Sequence, residues 1–305
     1  MKYKIEILPS KQINREKWDH QVTESTNGLI YAQSNYLDFV SDQWDGLIIN
    51  DYETIMPVPW RTKAGIKYAY TPAFTQQLGF IGSPLNEHTE RIVKRIYSTY
   101  RYGSILLNAG NSITAKIVQA YPKPNLLLNL ERPFNEIKLM FRKDHIQNAQ
   151  KAANNGLIYT EIIPIEKAVL FYELINGTKT PHIAASNYQQ LEKYCNSILK
   201  FNQNCFTRAV LNDYGDLLSS ALFLKDEKRI YNIMNATSEM GRAEKANHLL
   251  FHHVIQEFAE KKLILDFEGS SIPGIKHFYE GFGCSVEVYF LWHYNKLPFP
   301  LSLIP

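Results

Sequence analysis

The stretch KLILDFEGSSIPGIKHFYEGFG, from Lys262 to Gly283, decides the fold of this 305-residue chain. It opens with the apolar run Leu263 to Leu265, which is typical of a buried strand, and two acids follow directly, Asp266 and Glu268. Pro273 then fits the first turn of a helix whose apolar residues share one face. The stretch therefore predicts a strand, an acidic elbow and a helix, and ligands of open α/β sheets tend to lie at such strand ends.

The elements around this stretch predict an α/β fold with a mixed sheet. Three strands joined by hairpin turns are expected at Cys205 to Leu211, Leu217 to Leu224, and Arg229 to Ala236. A polar loop over residues 237–245 and a long helix from about Asn247 to Lys261 lead into the final strand. Ser270 or Ser271 is the expected cap of the helix after it.

The first half of the chain predicts a separate layer of helices and strands. Its last element is a helix from Phe134 to Asn154, and Asn155 with Gly156 supplies a C-cap signal. We therefore divide the chain into an N-terminal domain of residues 1–156 and a C-terminal domain of residues 157–305.

Composition excludes several classes of function. Hydrophobic residues make up 45% of the chain and charged residues 21%, which is enough apolar material for substantial cores. The net charge of +3 comes from interspersed charges and gives no field for general nucleic-acid binding. No window approaches the roughly 20 apolar residues of a membrane span, so we expect a soluble, cytoplasmic protein. Three cysteines without CxxC spacing argue against a disulfide framework or a thiolate metal site.

The order of elements in the second half resembles the GNAT acyltransferase fold. The hexapeptide FYEGFG, Phe278 to Gly283, is similar to the GNAT pattern of an aromatic or aliphatic residue, Tyr, Glu, two variable residues and Gly. The resemblance implies that Tyr279 protonates the departing CoA thiolate. A core tyrosine with a hydrogen-bonded hydroxyl is the alternative interpretation of the same residue.

Three further stretches resemble the Fem-type branch, whose members join two GNAT-like domains and include peptidoglycan aminoacyltransferases. They are RKDHIQNAQKAANNGLIY from Arg142 to Tyr159, ANHLL from Ala246 to Leu250, and LDFEGS from Leu265 to Ser270. The aromatic, Pro- and Gln-containing segment over residues 68–82 fits the same branch. The resemblance covers nearly the whole chain and implies two tandem GNAT-like domains, with the acceptor on the first and the donor on the second.

A donor site is implied before the long helix, where GNAT enzymes bind the CoA pyrophosphate. Backbone amides and the helix dipole attract the phosphates there, and small residues let them approach. The segment Ser238 to Ala243 matches only the second half of the GNAT pattern, and an alignment on ANHLL leaves Ala246 where Fem-type chains usually have Pro. We expect acetyl-CoA or another acyl-CoA as co-substrate, without a tightly bound cofactor, on Met240, Gly241, Arg242, Ala243, Ala246 and Asn247.

Asp266 and Glu268 leave the strand on the same face, since residues two apart in a strand share a face. Either carboxylate could take a proton from an ammonium acceptor, and burial would raise its pKa toward the working range. The alternative is that Asp266 orients the loop and Glu268 is solvated. The expected lining of the acceptor cleft is Phe74, Gln76 and Gln77, although structural amides in an aromatic layer explain them as well.

No metal site is expected. His248 and His252 lie one helical turn apart beside His253, but HxxxH without HExxH or a third ligand is a weak zinc signal.

The sequence thus predicts an N-acyltransferase that moves an acyl group from a CoA thioester to a small-molecule or cell-wall-precursor amine. A Fem-like enzyme using aminoacyl-tRNA is one alternative, and a non-catalytic GNAT-fold binding protein is another. Fem-type aminoacyltransferases generally carry a Lys where this chain has Tyr279, and the large ones carry a coiled-coil arm. Since this chain has neither, the acyl-CoA donor is preferred, while the acceptor, the acyl length and the oligomeric state stay open.

Overall fold

The structure is a computed structural model that describes residues 4–83, 85, 88–199, 204–269 and 272–303. The strands are β1 Ile5–Pro9, β2 Trp44–Ile49, β3 Thr54–Lys63, β4 Ile66–Tyr70, β5 Ile81–Gly82, β6 Tyr102–Leu107, β7 Tyr121–Asn129, β8 Ile158–Thr160, β9 Cys205–Leu211, β10 Leu217–Lys225, β11 Arg229–Thr237, β12 Ile264–Asp266 and β13 Ser285–Asn295. The helices are α1 Arg15–Glu24, α2 Ser34–Val40, α3 Thr89–Thr99, α4 Ser112–Ile117, α5 Phe134–Leu139, α6 Lys143–Asn154, α7 Ile165–Asn176, α8 Ala185–Leu199, α9 Glu239–Ala243, α10 Ala246–Phe258 and α11 Pro273–Glu280. None of these helices is long and apolar enough to cross a membrane.

The chain forms two compact units. Unit 1 consists of Met1–Lys123 with Val288–Pro305, and unit 2 of Pro124–Glu287. The sequence-based division at residue 156 placed residues 124–156 with the first half, whereas their contacts group them with unit 2. The reason is tertiary, because β7 pairs with β12 and α6 packs on α10. That each unit corresponds to one GNAT-like repeat stays a prediction.

Unit 1 contains a mixed sheet. Strands β1, β2, β3 and β4 pair antiparallel in that order, β4 runs parallel to β6, and residues 290–295 of β13 pair antiparallel with β6. Its core contains the apolar faces of β2 and β3 together with Ile92 and Ile96 of α3, which lie one turn apart. This arrangement buries Trp292 completely.

Unit 2 contains the predicted three-strand meander, which is confirmed as β9, β10 and β11 in antiparallel pairing. β8 adds to β9, β12 runs parallel to β11, and β7 pairs antiparallel with β12. Helix α10 packs beneath this sheet, where Leu250, Phe251 and Val254 are buried in the core. The fold is therefore mixed α/β, as the sequence predicts.

Two sequence predictions need correction. The helix expected from Phe134 to Asn154 is broken into α5 and α6, because residues 140–142 pack against the turn after α11. There Arg142 N donates to the carbonyl of Gly281 at 2.8 Å, and a Cβ on Gly283 would lie 2.5 Å from Met140 Cβ. The expected loop over residues 237–245 contains the short helix α9.

The elbow after β12 leads into α11 as predicted. Ile272 is the residue that precedes the first turn of α11, and Pro273 begins the helix. Ser270 and Ser271, the predicted caps, lie outside the described residues.

Candidate active site between strands β11 and β12

Strands β11 and β12 stop pairing after a short stretch, and the place beyond their last pair is named the β11–β12 opening. The two strands are hydrogen-bonded in parallel only between Arg229–Tyr231 and Ile264–Asp266. β12 ends there, while β11 continues to Thr237 along β10. Asn232 is the first residue past the last pair, and Ile233 lies at a bulge where the register against β10 shifts. The side chain of Asn232 is thus placed at a strand divergence, a usual position for a ligand in an open α/β sheet.

Asn232 holds the hydroxyl of Tyr279. Its Nδ2 donates to Tyr279 Oη at 3.1 Å, and both residues are buried, at 5% and 6% exposure. Because the amide is the donor, the phenolic proton is not used in this bond. The ring of Tyr279 is fixed by Phe267 and Phe251, with centroids at 4.5 and 5.5 Å. The predicted acid is therefore rigidly placed with its proton available.

One polar atom at this position has no partner. Asn232 Oδ1 is buried and has no hydrogen-bond partner among the described residues. An unsatisfied buried acceptor costs about 1–3 kcal/mol, and native proteins seldom leave one unless a ligand or water fills the place. This atom is the strongest sign of a binding site in unit 2.

Tyr172 of α7 is a residue of this site that the sequence analysis missed. Burial raises the pKa of Tyr172 to about 12, and Tyr188 and the negative charge of Glu268 add to the rise. Burial likewise raises the pKa of Tyr279 well above its ordinary value; the bond from Asn232 opposes the rise, and Tyr172 and Glu268 add to it. The two phenols and the carboxylate are therefore within electrostatic reach of one another, and both phenols stay protonated near neutral pH. In sequence, Tyr172 looks like one more residue on the buried face of an amphipathic helix.

Both carboxylate oxygens of Asp266 have hydrogen-bond partners. It is completely buried; its Oδ2 pairs with Arg229 Nη1 at 3.0 Å and accepts from Asn125 Nδ2 at 3.2 Å. Its Oδ1 accepts from the backbone N of Glu268 at 2.9 Å. Burial raises the pKa of the Asp266 carboxyl, and the Arg229 guanidinium partly offsets that rise. These contacts fit the interpretation in which Asp266 orients the elbow.

Glu268 stands in the elbow with a strained backbone. Its φ is +59°, in the left-handed region that non-glycine residues seldom adopt, and Gly269 follows at +49°. A Cβ on Gly269 would lie 2.4 Å from the carbonyl oxygen of Pro124, so the next position admits only glycine. Strain of this kind costs about 1–3 kcal/mol and clusters at functional sites. The side chain of Glu268 is partly exposed, and its negative charge helps to raise the pKa values of Tyr172 and Tyr279.

The backbone amides before α10 already have partners. Gly241 N donates to Ser238 Oγ at 3.0 Å, Arg242 N to the carbonyl of Ser238 at 2.9 Å, and Glu244 N to the carbonyl of Met240 at 2.9 Å. Gly241 is buried, and a Cβ there would lie 2.2 Å from the carbonyl oxygen of Leu218. In this conformation the segment packs on β10 and presents few open amides to a phosphate.

Some side chains of the predicted donor residues are also bonded within the protein, and others are exposed. Asn247 Oδ1 accepts from Ser219 Oγ and from Asn235 Nδ2, each at 3.0 Å. Arg242 Nη1 donates to the carbonyl of Thr237 at 2.7 Å. Ala246 is buried, whereas Met240, Arg242 and Ala243 are exposed. Asn247 therefore makes structural contacts, and Arg242 faces solvent although one of its nitrogens bonds to the backbone of Thr237.

The predicted acceptor residues lie in unit 1. Gln76 and Gln77 are buried, Gln77 Nε2 donates to Gln76 Oε1 at 2.8 Å, and Ala109 N donates to Gln77 Oε1 at 3.2 Å. The carbonyl of Phe74, whose φ is +59°, accepts a hydrogen bond from Tyr36 Oη. Each of the three residues takes part in an internal contact of unit 1.

His248 of α10 has different neighbours from His252 and His253, whose rings contact each other at 5.7 Å. His248 contacts the ring of His145 at 4.8 Å and Asn148 Nδ2 at 3.2 Å, while His252 packs against Phe134 at 5.1 Å. Burial lowers the pKa of His248 to about 4, with His145 and Lys245 adding to the effect, and burial lowers that of His252 to about 4. No group of three or more His, Cys, Asp or Glu side chains suited to a metal ion occurs among the residues that the structure describes.

Solved structures share this fold along nearly the whole chain. A crystal structure of FemX is 11% identical with a TM-score of 0.69, and the match covers 95% of this chain and 98% of that one. The structure of L-PGS from Bacillus licheniformis is 11% identical with a TM-score of 0.55, covering 95% and 94%. A GCN5-related glucosamine N-acetyltransferase region of a fungal multi-domain GH3 beta-N-acetylglucosaminidase is 10% identical with a TM-score of 0.51, covering 96% and 38%. The chain therefore has a Fem/GNAT-like fold.

Sequence comparison adds nothing to this result. No protein-family model matches the chain, and no curated protein matches it by sequence. At these identities the structural likeness is a likeness of fold.

Proposed function

We propose that the chain is an N-acyltransferase that moves an acyl group from a CoA thioester to an amine in the β11–β12 opening. The observation that carries this proposal is the buried Asn232–Tyr279 pair, which lies at the strand divergence with a phenolic proton and an amide oxygen unused. The Fem/GNAT-like fold supports the reaction class, because its solved examples include FemX and a glucosamine N-acetyltransferase region. A small-molecule or cell-wall-precursor amine is the proposed acceptor.

Each group has a defined role in this reaction. The amine nitrogen attacks the thioester carbonyl carbon; a C–N bond forms and the C–S bond breaks. Glu268 first takes a proton from the bound ammonium, directly or through water, and releases it to solvent, so that the neutral amine can attack; it then takes the second proton, which the nitrogen loses as the C–N bond forms. Tyr279 hydrogen-bonds to the sulfur as negative charge develops there and gives it the phenolic proton, which Glu268 then returns to the tyrosine through solvent. Asp266 positions Glu268 through the bond to its backbone N.

An aminoacyl ester of tRNA is a second candidate for the donor. The observation that favours it is the set of internal partners on the amides of Gly241, Arg242 and Glu244, the residues where a CoA pyrophosphate was expected. An ester carbonyl can be attacked in the same opening, and Tyr279 would then protonate a ribose oxygen. A binding protein without turnover is a third candidate, supported by the same closed segment.

A transfer assay distinguishes these donors. Wild-type protein should release free CoA thiol when incubated with acetyl-CoA to palmitoyl-CoA and a panel of primary amines. Tyr279→Phe should lower this rate by about 10²-fold or more, the usual contribution of a positioned acid. Tyr231→Phe is the matched control, because Tyr231 is a buried tyrosine beside Asn232 on β11 whose Oη donates to Asp226 Oδ2 at 2.6 Å.

Each outcome assigns one candidate. Product from charged tRNA, with no CoA binding at millimolar concentration in isothermal titration, would replace the thioester by the aminoacyl ester. If the wild type transfers no acyl or aminoacyl group from any donor, and Tyr279→Phe behaves like the wild type, the binding protein without turnover is the remaining candidate.

A further inference from the structure

We infer that Asn232 forms the acceptor subsite, with its Oδ1 accepting an N–H of a primary amine while its Nδ2 holds Tyr279. The inference rests on the proposed function and specifies its acceptor: a primary amine that is a cation when free. Asn232 is not among the candidate site residues that the sequence predicts.

The geometry of one amide group carries the first step. Nδ2 of Asn232 is fixed on Tyr279 Oη at 3.1 Å, and Oδ1 is buried without a partner among the described residues. Both atoms belong to a single planar group, so a nitrogen bound at Oδ1 stands next to the phenol. The amine that attacks and the hydroxyl that protonates the leaving group are then held by one side chain.

The position in the sheet carries the second step. Asn232 follows directly on the last β11–β12 pair, and the bulge at Ile233 begins there. Binding of a ligand at Oδ1 need not break a β11–β12 hydrogen bond, because those bonds end at Tyr231.

Charge selects the class of ligand. Glu268 supplies a negative charge at this end of β12, and Tyr172 and Tyr279 contribute neutral phenols. The nearby guanidinium of Arg229 is engaged by Asp266 at 3.0 Å and by Glu287 at 2.9 Å. A primary ammonium offers both a charge for Glu268 and an N–H for Asn232 Oδ1, whereas an anion or an acceptor-only ligand offers neither.

The test uses binding of small cations to the full chain, so it does not need turnover. Methylammonium and tetramethylammonium chloride are added at matched ionic strength to ¹⁵N-labelled protein. The side-chain amide of Asn232 and the backbone amide of Ile233 are the reporters. Methylammonium should shift both saturably, and tetramethylammonium, which has no N–H, should bind about tenfold more weakly or not at all.

Two variants separate this role from a purely structural one. In Asn232→Leu the Ile233 reporter should show at least tenfold weaker methylammonium binding. In Asn232→Asp binding should persist, because a carboxylate of the same shape also accepts from the ammonium, and this variant serves if the leucine variant fails to fold. Equal shifts by both cations, or an unchanged affinity in Asn232→Leu, would overturn the subsite, as would a lack of any shift.

The same measurements tell this inference from the proposed reaction. Tyr279→Phe should bind methylammonium like the wild type while losing transfer. Methylammonium binding without any transfer would retain the subsite and reject the acyltransferase. Transfer that is indifferent to Asn232→Leu would retain the enzyme and reject the subsite.

Discussion

The segment before α10 and the site between β11 and β12, both in unit 2, differ in whether their polar groups have hydrogen-bond partners within the protein. In residues 238–247, backbone amides and side chains such as those of Arg242 and Asn247 bond to each other and to β10 or β11. Between β11 and β12, Asn232 leaves a buried oxygen without a partner among the described residues. Internal partners on several groups favour a structural role for residues 238–247, whereas a buried acceptor without a partner at the end of a strand pairing favours a binding role for Asn232.

The same contrast holds within the elbow. Asp266 and Glu268 lie two residues apart, yet Asp266 is fully buried with three hydrogen-bond donors around it, and Glu268 is partly exposed on a left-handed backbone. Asp266 has the contacts of a structural residue, and Glu268 is the acid proposed for proton transfer.

Asp266→Asn should give the largest effect, a loss on the order of 3 kcal/mol in the free energy of unfolding. The substitution keeps the shape but leaves the buried Arg229 guanidinium with Glu287 as its single carboxylate partner. Urea denaturation measures the loss. Glu268→Gln is the paired control and should change the free energy of unfolding by less than about 1 kcal/mol. Equal losses of stability in the two variants would contradict a structural role confined to Asp266.

Glu268→Gln should have the complementary effect on activity. Turnover should fall by roughly 10²-fold with the donor that the transfer assay identifies, since the amide cannot take a proton. Glu280→Gln on α11 is the matched control, because Glu280 lies 3.5 Å from Lys276 on the exposed surface. An unchanged turnover in Glu268→Gln would show that Glu268 is not the general base.

Gly241→Ala should destabilise unit 2 by about 1–3 kcal/mol. Its Cβ would stand 2.2 Å from a backbone oxygen of β10, which cannot move aside cheaply. Gly274→Ala on α11 has open space around the new Cβ and should be neutral or stabilising by up to about 1 kcal/mol. If phosphate approach, and not packing, explains Gly241, the first variant would unfold like the wild type while losing CoA affinity.

Acid should lower the stability of unit 2 through His248 and His252 of α10. The folded-state pKa values of His248 and His252 are about 4, below the ordinary 6.5, so protonation favours the unfolded chain. Their contribution to stability is complete above pH 6.5 and is lost as the pH falls toward 4. Thermal unfolding at pH 7.5 and pH 5 should show a lower midpoint in acid, and His252→Gln should narrow that difference. A midpoint difference that His252→Gln leaves unchanged would assign the acid sensitivity to other groups.

Sequence by itself determined the fold class and the local elements. The meander, the buried strand before Asp266 and the helix that carries Tyr279 follow from alternation, turn residues and helical spacing, which act over a few residues. Tyr279 and Glu268 were named as candidates for the same reason, since a resemblance between motifs is also local.

Tertiary structure decided which of those candidates have unused groups. Asn232 and Tyr279 are 47 residues apart in the chain, and Tyr172 lies on a helix whose sequence indicates only packing. The break between α5 and α6 depends on the contact of Arg142 with Gly281, far along the chain. Hydrogen-bond satisfaction depends on neighbours that folding brings from distant segments, so local pattern predicts the residue types of a site and not which of their atoms stay unpaired.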